Sequence, residues 1–467
     1  MFKRHSERSE ESSTRFFVTV VPQNDQILMH PPSPPSPVDI GRANFRGQAR
    51  KILLQPEDRL HHTYLIGKTG TGKTTVLQNI VLQDIWAGHG CCFVDPHGDA
   101  VRWLLDRIPP ERLEEVILIN PADESFPLGL NLLDAPDPAQ QDFLISEAIE
   151  MFYKLFDPNR EGLIGPQFEH WMRNAALTVM ADPAGGTLLE IPRLFTDPQF
   201  EQRKTRHLRD PVVRAFWEDQ MAKTSEFHRS EMLNYFTSKF GRFQSNSLLR
   251  NIIGQRHSAF SWDQVLAEGK IVLISLAKGE IGELNASMLG LILMTQLAAA
   301  VLRRARVPRE ERHPFYLCVD EFQNVLTDAF VSMLAEARKY GLGVHLAHQY
   351  LEQLPEHIRS AVLGNVRTIV AFQLGSSDTA LIRKELDPQP EASEQTLDAE
   401  TLQFLPPRHF AIKLTLNGQT YPPFLGESLP PLEARSPITA DQVIALARLR
   451  YASPRPLVES EFRARWR

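Results

Sequence analysis

The chain has 467 residues, 42% hydrophobic and 23% charged. That is enough for two or three globular units and excludes a collagen, a mucin-like stalk or a mostly disordered chain. Fifty-one Lys and Arg against 57 Asp and Glu leave a net charge of -6, so any nucleic-acid contact must come from locally basic surface. Cys91, Cys92 and Cys318 are the three cysteines, and all sit in apolar runs. With no CxxC pair, neither a disulfide framework nor a zinc site is expected, and a reduced cytoplasmic home is the simplest reading. Met1 to Arg15 is charged and Ser-rich, without the apolar stretch of a secretory signal.

In chain order, residues 1–40 read as an extended or disordered tail. It carries a short strand candidate at Phe16–Val21 and a polyproline linker at Pro31–Pro37. From residue 41 to 136, strands alternate with helices. The apolar runs are Thr63–Ile66, Cys91–Val94 and Val116–Ile119, with a helical stretch at Thr75–Trp86. Between 137 and 258 the strands stop. Gln141–Phe156 has apolar residues at helical spacing, and Phe168–Met180, Pro211–Met221 and Glu231–Phe240 follow. This is the pattern of an inserted all-α domain, with a turn at Asp182–Gly186.

Strand-helix alternation resumes over 259–425, with runs at Ile271–Ser275, Phe315–Val319, Val344–Ala347 and Thr368–Phe372. Nearly continuous apolar runs predict strands buried on both faces, in an α/β fold with a mostly parallel sheet. Leu284–Leu302 is long enough to span a membrane, but polar interruptions make it a core helix. His409–Leu416 and Gln419–Phe424 around Asn417-Gly418 read as a type I′ hairpin. Residues 426–467 form a helical basic tail, whose helix Ala440–Tyr451 opens on a Thr439/Gln442 capping box. Its arginines read either as solvated or as contacts for DNA or a partner.

Two motifs carry the chemistry. Gly67-Lys68-Thr69-Gly70-Thr71-Gly72-Lys73-Thr74 fits G-x4-G-K-[ST] between a strand and a helix that begins near Thr75. In that setting backbone N–H groups wrap phosphates, Lys73 reaches the β- and γ-phosphates, and the Thr74 hydroxyl serves Mg²⁺. Phe315–Val319 ends in Asp320-Glu321, the Walker B form. Asp320 would hold Mg²⁺, mostly through water, and Glu321 would deprotonate the attacking water. Paired acids, together with a strand between the two motifs, point to a RecA-like P-loop ATPase using ATP. The strand Val344–Ala347 runs into Gln349, a candidate γ-phosphate sensor. Arg338, Arg359, Arg367 and Arg383 are candidates for an arginine that reaches a neighbouring subunit's phosphate. Asp95-Pro96-His97-Gly98-Asp99 either lines the site or its subunit boundary, or makes a plain turn. His345 and His348, three apart on a strand, should face opposite ways and form no metal pair.

Gly67–Thr74, Asp95–Asp99, Asp320-Glu321-Phe322-Gln323-Asn324, Glu336–Gly341 and Ala347-His348-Gln349 resemble the HerA/FtsK superfamily, and within it the TraG/TraD-type conjugative coupling ATPases of type IV secretion. The resemblance runs over about residues 40–425. It implies a RecA-like domain, an all-α domain and hexameric rings that move DNA through a central channel. By position it makes Arg338 the trans-acting arginine finger and Gln349 the glutamine sensor. Membrane-bound coupling proteins carry N-terminal transmembrane helices, and no such segment is read here. Docking at the membrane would then go through a partner, such as a secretion-channel or relaxosome protein. The resulting expectation is a homohexameric, ATP-driven DNA translocase. The alternatives are an ATP-gated recruiter of DNA or protein cargo without processive motion, and a soluble HerA-like translocase. Lys223, Lys239, Arg242 and Arg250 are candidates for touching the substrate.

Overall fold

Thirteen strands are found among the described residues. They are β1 (Val38–Phe45), β2 (Gln48–Leu54), β3 (Thr63–Ile66), β4 (Gly90–Asp95), β5 (Val116–Ile119), β6 (Ile271–Ser275), β7 (Phe315–Val319), β8 (Leu342–His348), β9 (Thr368–Ala371), β10 (His409–Lys413), β11 (Thr415–Leu416), β12 (Gln419–Thr420) and β13 (Phe424–Ser428). Eleven of them form one sheet in the order β2-β1-β13-β10-β9-β3-β8-β7-β4-β6-β5. The computed structural model describes residues 35–467 except 46, 136, 159, 224–232, 327, 388–396, 436 and 467. The strand read at Phe16–Val21, most of the polyproline run and the start of the helical stretch at Glu231 lie outside the described residues.

From β9 to β5 every strand pairing is parallel. From β9 outward to β2 every pairing is antiparallel. The antiparallel wing differs from the sequence reading in two ways. Val38–Ile40, taken as the end of the tail, open β1, where Val38 and Ile40 are buried. The hairpin around Asn417-Gly418 is two-tiered. A short β11–β12 pair carries the turn, with φ of 52° and 76° at the two central residues, as type I′ requires. Below it, β10 pairs with β13 as part of the main sheet.

Side chains alternate between the two faces of the sheet. On one face Tyr64, Ile66, Cys92, Val94, Val272 and Ile274 join the larger core. That core also takes in the helices Gln141–Phe156, Pro166–Met180, Glu283–Arg303 and Glu356–Asn365. On the other face Leu65, Cys91, Phe93, Ile271 and Leu273 pack against the helices Lys73–Ala87, Asp99–Leu105 and Ala440–Tyr451. The result is a three-layer α/β/α arrangement.

Between 137 and 258 the described residues form helices joined by turns and short irregular segments, with no strand among them. In their aromatic centre Phe152 packs at a tilt against Phe168 and Phe240, and Trp171 stacks on Phe195, at centroid distances of 5.1, 4.8 and 5.3 Å. Glu283–Arg303, the apolar helix, is buried in the larger core. Several of the C-terminal arginines pair with acids elsewhere in the fold. Arg448 pairs with Asp123, Arg450 with Glu114 and Arg465 with Glu190, at 2.6, 2.9 and 3.2 Å. Helix Arg455–Trp466 lies against the helical segment, with the Arg193 Nη1 donating to Arg465 O at 3.0 Å.

Three buried histidines sit around β3 and β8. Burial pushes His62 down to about 4 and His348 to about 3, and holds His345 well below the ordinary range. His345 Nε2 accepts from Arg59 Nε at 3.3 Å, and His348 Nδ1 meets Tyr64 OH at 3.0 Å, on the opposite face. Each histidine stays neutral in the folded chain at pH values where the unfolded chain protonates. Their contribution is therefore complete above about pH 6.5 and falls as pH drops below it, by about 1.4 kcal/mol per pH unit for each histidine. Urea melts at pH 7.5 and 5.5 should differ by up to about 4 kcal/mol; an unmoved midpoint would show that these rings are not held neutral.

Candidate nucleotide site

Gly67 to Gly72 link the carboxyl end of β3 to the helix Lys73–Ala87. The turn is built for glycine. Gly72 has φ of 115°, and a Cβ on Gly67 would lie 2.6 Å from the Cβ of Phe372, closer than real contacts allow. The loop is pinned from both sides, with Gly67 N donating to His348 O at 3.3 Å and Lys68 N to Gln373 O at 2.9 Å. Thr71 Oγ1 donates to Lys68 O at 2.7 Å. Lys68, Thr69 and Gly70 face solvent, and Thr75 lies in the first helical turn. Backbone N–H groups at this helix start are open to a phosphate.

Lys73 is buried, and its Nζ donates to Gly67 O at 2.6 Å and Lys68 O at 3.0 Å. Burial lowers its pKa, against the pull of Glu321 and Asp320. Thr74 Oγ1 donates to Asp320 Oδ2 at 2.6 Å. Burial raises the Asp320 pKa, opposed by the Thr74 bond and aggravated by Glu321 and Asp95. A buried acid kept costly to ionise and paired with a Thr hydroxyl is a donor set that suits a hard divalent cation.

Glu321 adopts a left-handed φ of 45°, a conformation a non-glycine residue keeps only when its surroundings enforce it. Its two carboxylate oxygens are held by two amides. Gln349 Nε2 donates to Oε1 at 2.5 Å, and Gln323 Nε2 donates to Oε2 at 2.8 Å. Gln349 Oε1 in turn accepts from Thr69 Oγ1 at 3.1 Å. Lys73, Thr74, Asp320, Glu321 and Gln349 thus converge at the carboxyl ends of β3, β7 and β8, where parallel α/β sheets place ligands.

Arg338 is not brought to this site. It is exposed in the turn before β8, at the opposite end of the strands. There, after burial, its charge and that of Arg367 hold down the pKa of His61 just before β3. The length of β3 alone puts at least roughly 13 Å between that edge and the loop. Asp95 shapes its own turn by accepting from His97 N, Ala100 N and Val101 N at 2.8, 2.8 and 3.2 Å, and it also lies near enough to Asp320 for its charge to act there. Among the substrate candidates, Arg250 donates to Gln244 O and Lys223 pairs with Asp219. The sequence reading missed Gln323 as a partner of Glu321. Only the tight turn Phe322–Asn324 swings it back onto the carboxylate.

Residues 314–382 match the family described as the TraM recognition site of TraD and TraG. That span holds β7, Asp320, Glu321, Arg338, β8, Gln349 and β9. The chain is similar to the TraG/TraD-type coupling ATPases. Among solved structures, the bacterial conjugative coupling protein TrwBdeltaN70 is 15% identical, with a TM-score of 0.57 over 86% of this chain and 91% of that one. Plasmid coupling protein TrwB in complex with ADP and Mg²⁺ is 16% identical, with a TM-score of 0.58 over 83% and 89%. VirB4 of Thermoanaerobacter pseudethanolicus is 12% identical, with a TM-score of 0.57 over 86% and 98%. At these identities the likeness is one of fold, the RecA-like α/β fold. No curated protein matches the chain in sequence.

Proposed function

We propose that the protein is an ATP-hydrolysing DNA motor of the conjugative, type IV secretion kind, acting from the cytoplasm as a ring, with 137–258 as its inserted all-α domain. The observation that carries this is the single bonded network joining Thr69, Gln349, Glu321 and Gln323, beside the Lys73 and Thr74–Asp320 contacts. The TraG/TraD match and the TrwB-like fold supply the choice of DNA as cargo and of relaxosome or channel proteins as partners. ATP phosphates would lie in the Gly67–Thr75 loop, with Lys73 leaving its own loop carbonyls for the β- and γ-phosphates. Thr74 and Asp320 would hold Mg²⁺. That ion supplies charge neutralisation at the phosphate oxygens.

Glu321 would take the proton of the attacking water, with Gln349 fixing its carboxylate and reporting the γ-phosphate to the loop through Thr69. Arg338, remote from its own chain's loop, would complete a neighbour's site; such a finger is worth ~10³–10⁵ in rate. Arg338→Ala and Glu321→Gln proteins should each be inactive alone and should recover part of the activity when mixed. Mixtures that stay inactive would remove Arg338 from the trans role.

The experiment that tests the whole reading is steady-state ATP hydrolysis with no DNA, single-stranded DNA and duplex DNA, at low and ~150 mM salt. Stimulation by one DNA form, weakening with salt, supports the motor. Turnover indifferent to both forms favours a recruiter of protein cargo.

A further inference from the structure

Glu321 sits at the head of a short loop, Phe322–Leu326, that is tied to the helical layer at two points. Lys154, on the helix Gln141–Phe156, donates its Nζ to Leu326 O at 2.7 Å. Gly290, on the helix Glu283–Arg303, lies so close that a Cβ there would stand 2.5 Å from Val325 Cγ1. At the other end of the loop, Asn324 Nδ2 donates to Glu321 O at 2.8 Å and Gln323 Nε2 to Glu321 Oε2. Facing a carboxylate, the Gln323 amide must present its nitrogen, since its oxygen would be repelled. Its own oxygen is buried with no hydrogen-bond partner among the described residues. The amide is therefore held at one end only. A cavity of about 340 Å³ opens beside it, lined by Lys154, Gln323, Leu326 and Gln353. The Gln353 side-chain oxygen is likewise buried, with no partner among the described residues.

We propose that Gln323 is a positioning residue through which the helical segment controls Glu321. While Lys154 holds Leu326, Gln323 restrains one oxygen of the carboxylate. Displacement of the helix Gln141–Phe156 draws the loop away, Gln323 turns into the cavity, and that oxygen is released to the attacking water. The inference rests on the reading of Glu321 as the general base. It adds a route from the helical layer to the reacting atoms that bypasses the phosphate loop and Gln349.

The test compares ATP turnover without DNA in the full chain for wild type, Glu321→Gln, Gln323→Ala and Lys154→Met, each with its pH profile and thermal melt. Gln323→Ala should raise DNA-free turnover roughly tenfold, the worth of one hydrogen bond to a charged group. The acid limb of its kcat profile should move to higher pH, because the carboxylate loses a donor that favours its ionised form. Lys154→Met, which leaves Gln323 in place, should change both in the same direction. If Glu321→Gln keeps its turnover, the assignment of Glu321 fails and the inference falls with it. If Glu321→Gln is inactive, while folded Gln323→Ala and Lys154→Met show wild-type or lower rates with an unmoved acid limb, the positioning role alone is overturned.

Discussion

Glu321→Gln is expected to reduce ATP turnover by on the order of 10²–10⁴, the usual worth of a positioned general base, while nucleotide binding persists. The carboxylate stands at the end of β7, one residue beyond Asp320, and its left-handed backbone turns the side chain toward Gln349 and the phosphate loop. Glutamine keeps the shape but has no basic oxygen pair to take a proton from water. The loop contacts of Lys73 and Thr74 do not involve Glu321 as a bonding partner, so binding of a fluorescent ATP analogue should change little. Lys73→Ala, by contrast, should lose binding and turnover together. Equal loss of binding in both variants would mean that Glu321 builds the pocket instead of working in it.

Arg59→Met should destabilise the chain by about 3–5 kcal/mol, the cost of leaving one member of a buried ion pair alone. Arg59 and Asp84 have no exposed side-chain surface, and their charged atoms meet at 2.6 Å. Burial works against both charges, yet Asp84 carries the Arg59 pKa above its ordinary value, and Arg59 and His89 hold Asp84 below its own. The guanidinium also lies 3.5 Å from the centre of the Tyr316 ring. Asp84 is on the helix that starts at Lys73, so the pair fastens that helix to the segment before β3. Denaturant melts should show the loss, and Arg59→Met with Asp84→Leu should recover much of it, because an apolar pair leaves no stranded charge. A single variant as stable as wild type would mean that water reaches Asp84.

The seven parallel strands were readable because each is a nearly continuous apolar run, the mark of burial on both faces. The helices over 137–258 were readable from periodicity, since one face of each meets a core rich in Phe and Trp. β1 and β2 were not readable. β1 mixes buried and half-buried positions around a bulge between Asp39 and Gly41, and β2 exposes its first four residues. The strand character of β1 comes from pairing with β13, more than 370 residues away in the chain at Gly41↔Ser428, and that of β2 from pairing with β1. At the site, Lys73, Thr74, Asp320 and Glu321 follow from motif spacing, whereas Gln323 depends on the turn that folds it back. The remoteness of Arg338 from its own loop became plain only once its strand end was known.

The two borders of the large sheet constrain how copies of this chain can meet. β5 is flanked by the helix Ala440–Tyr451. β2 ends the other side with exposed Gln48, Ala49, Arg50 and Lys51. Adjacent cations on a border strand oppose the docking of an identical strand. Neighbouring copies would then join through loops and helix faces and not by backbone zippering. If copies assemble as proposed, such contacts would be free to slide, tighten and release, as a closed run of shared hydrogen bonds would not.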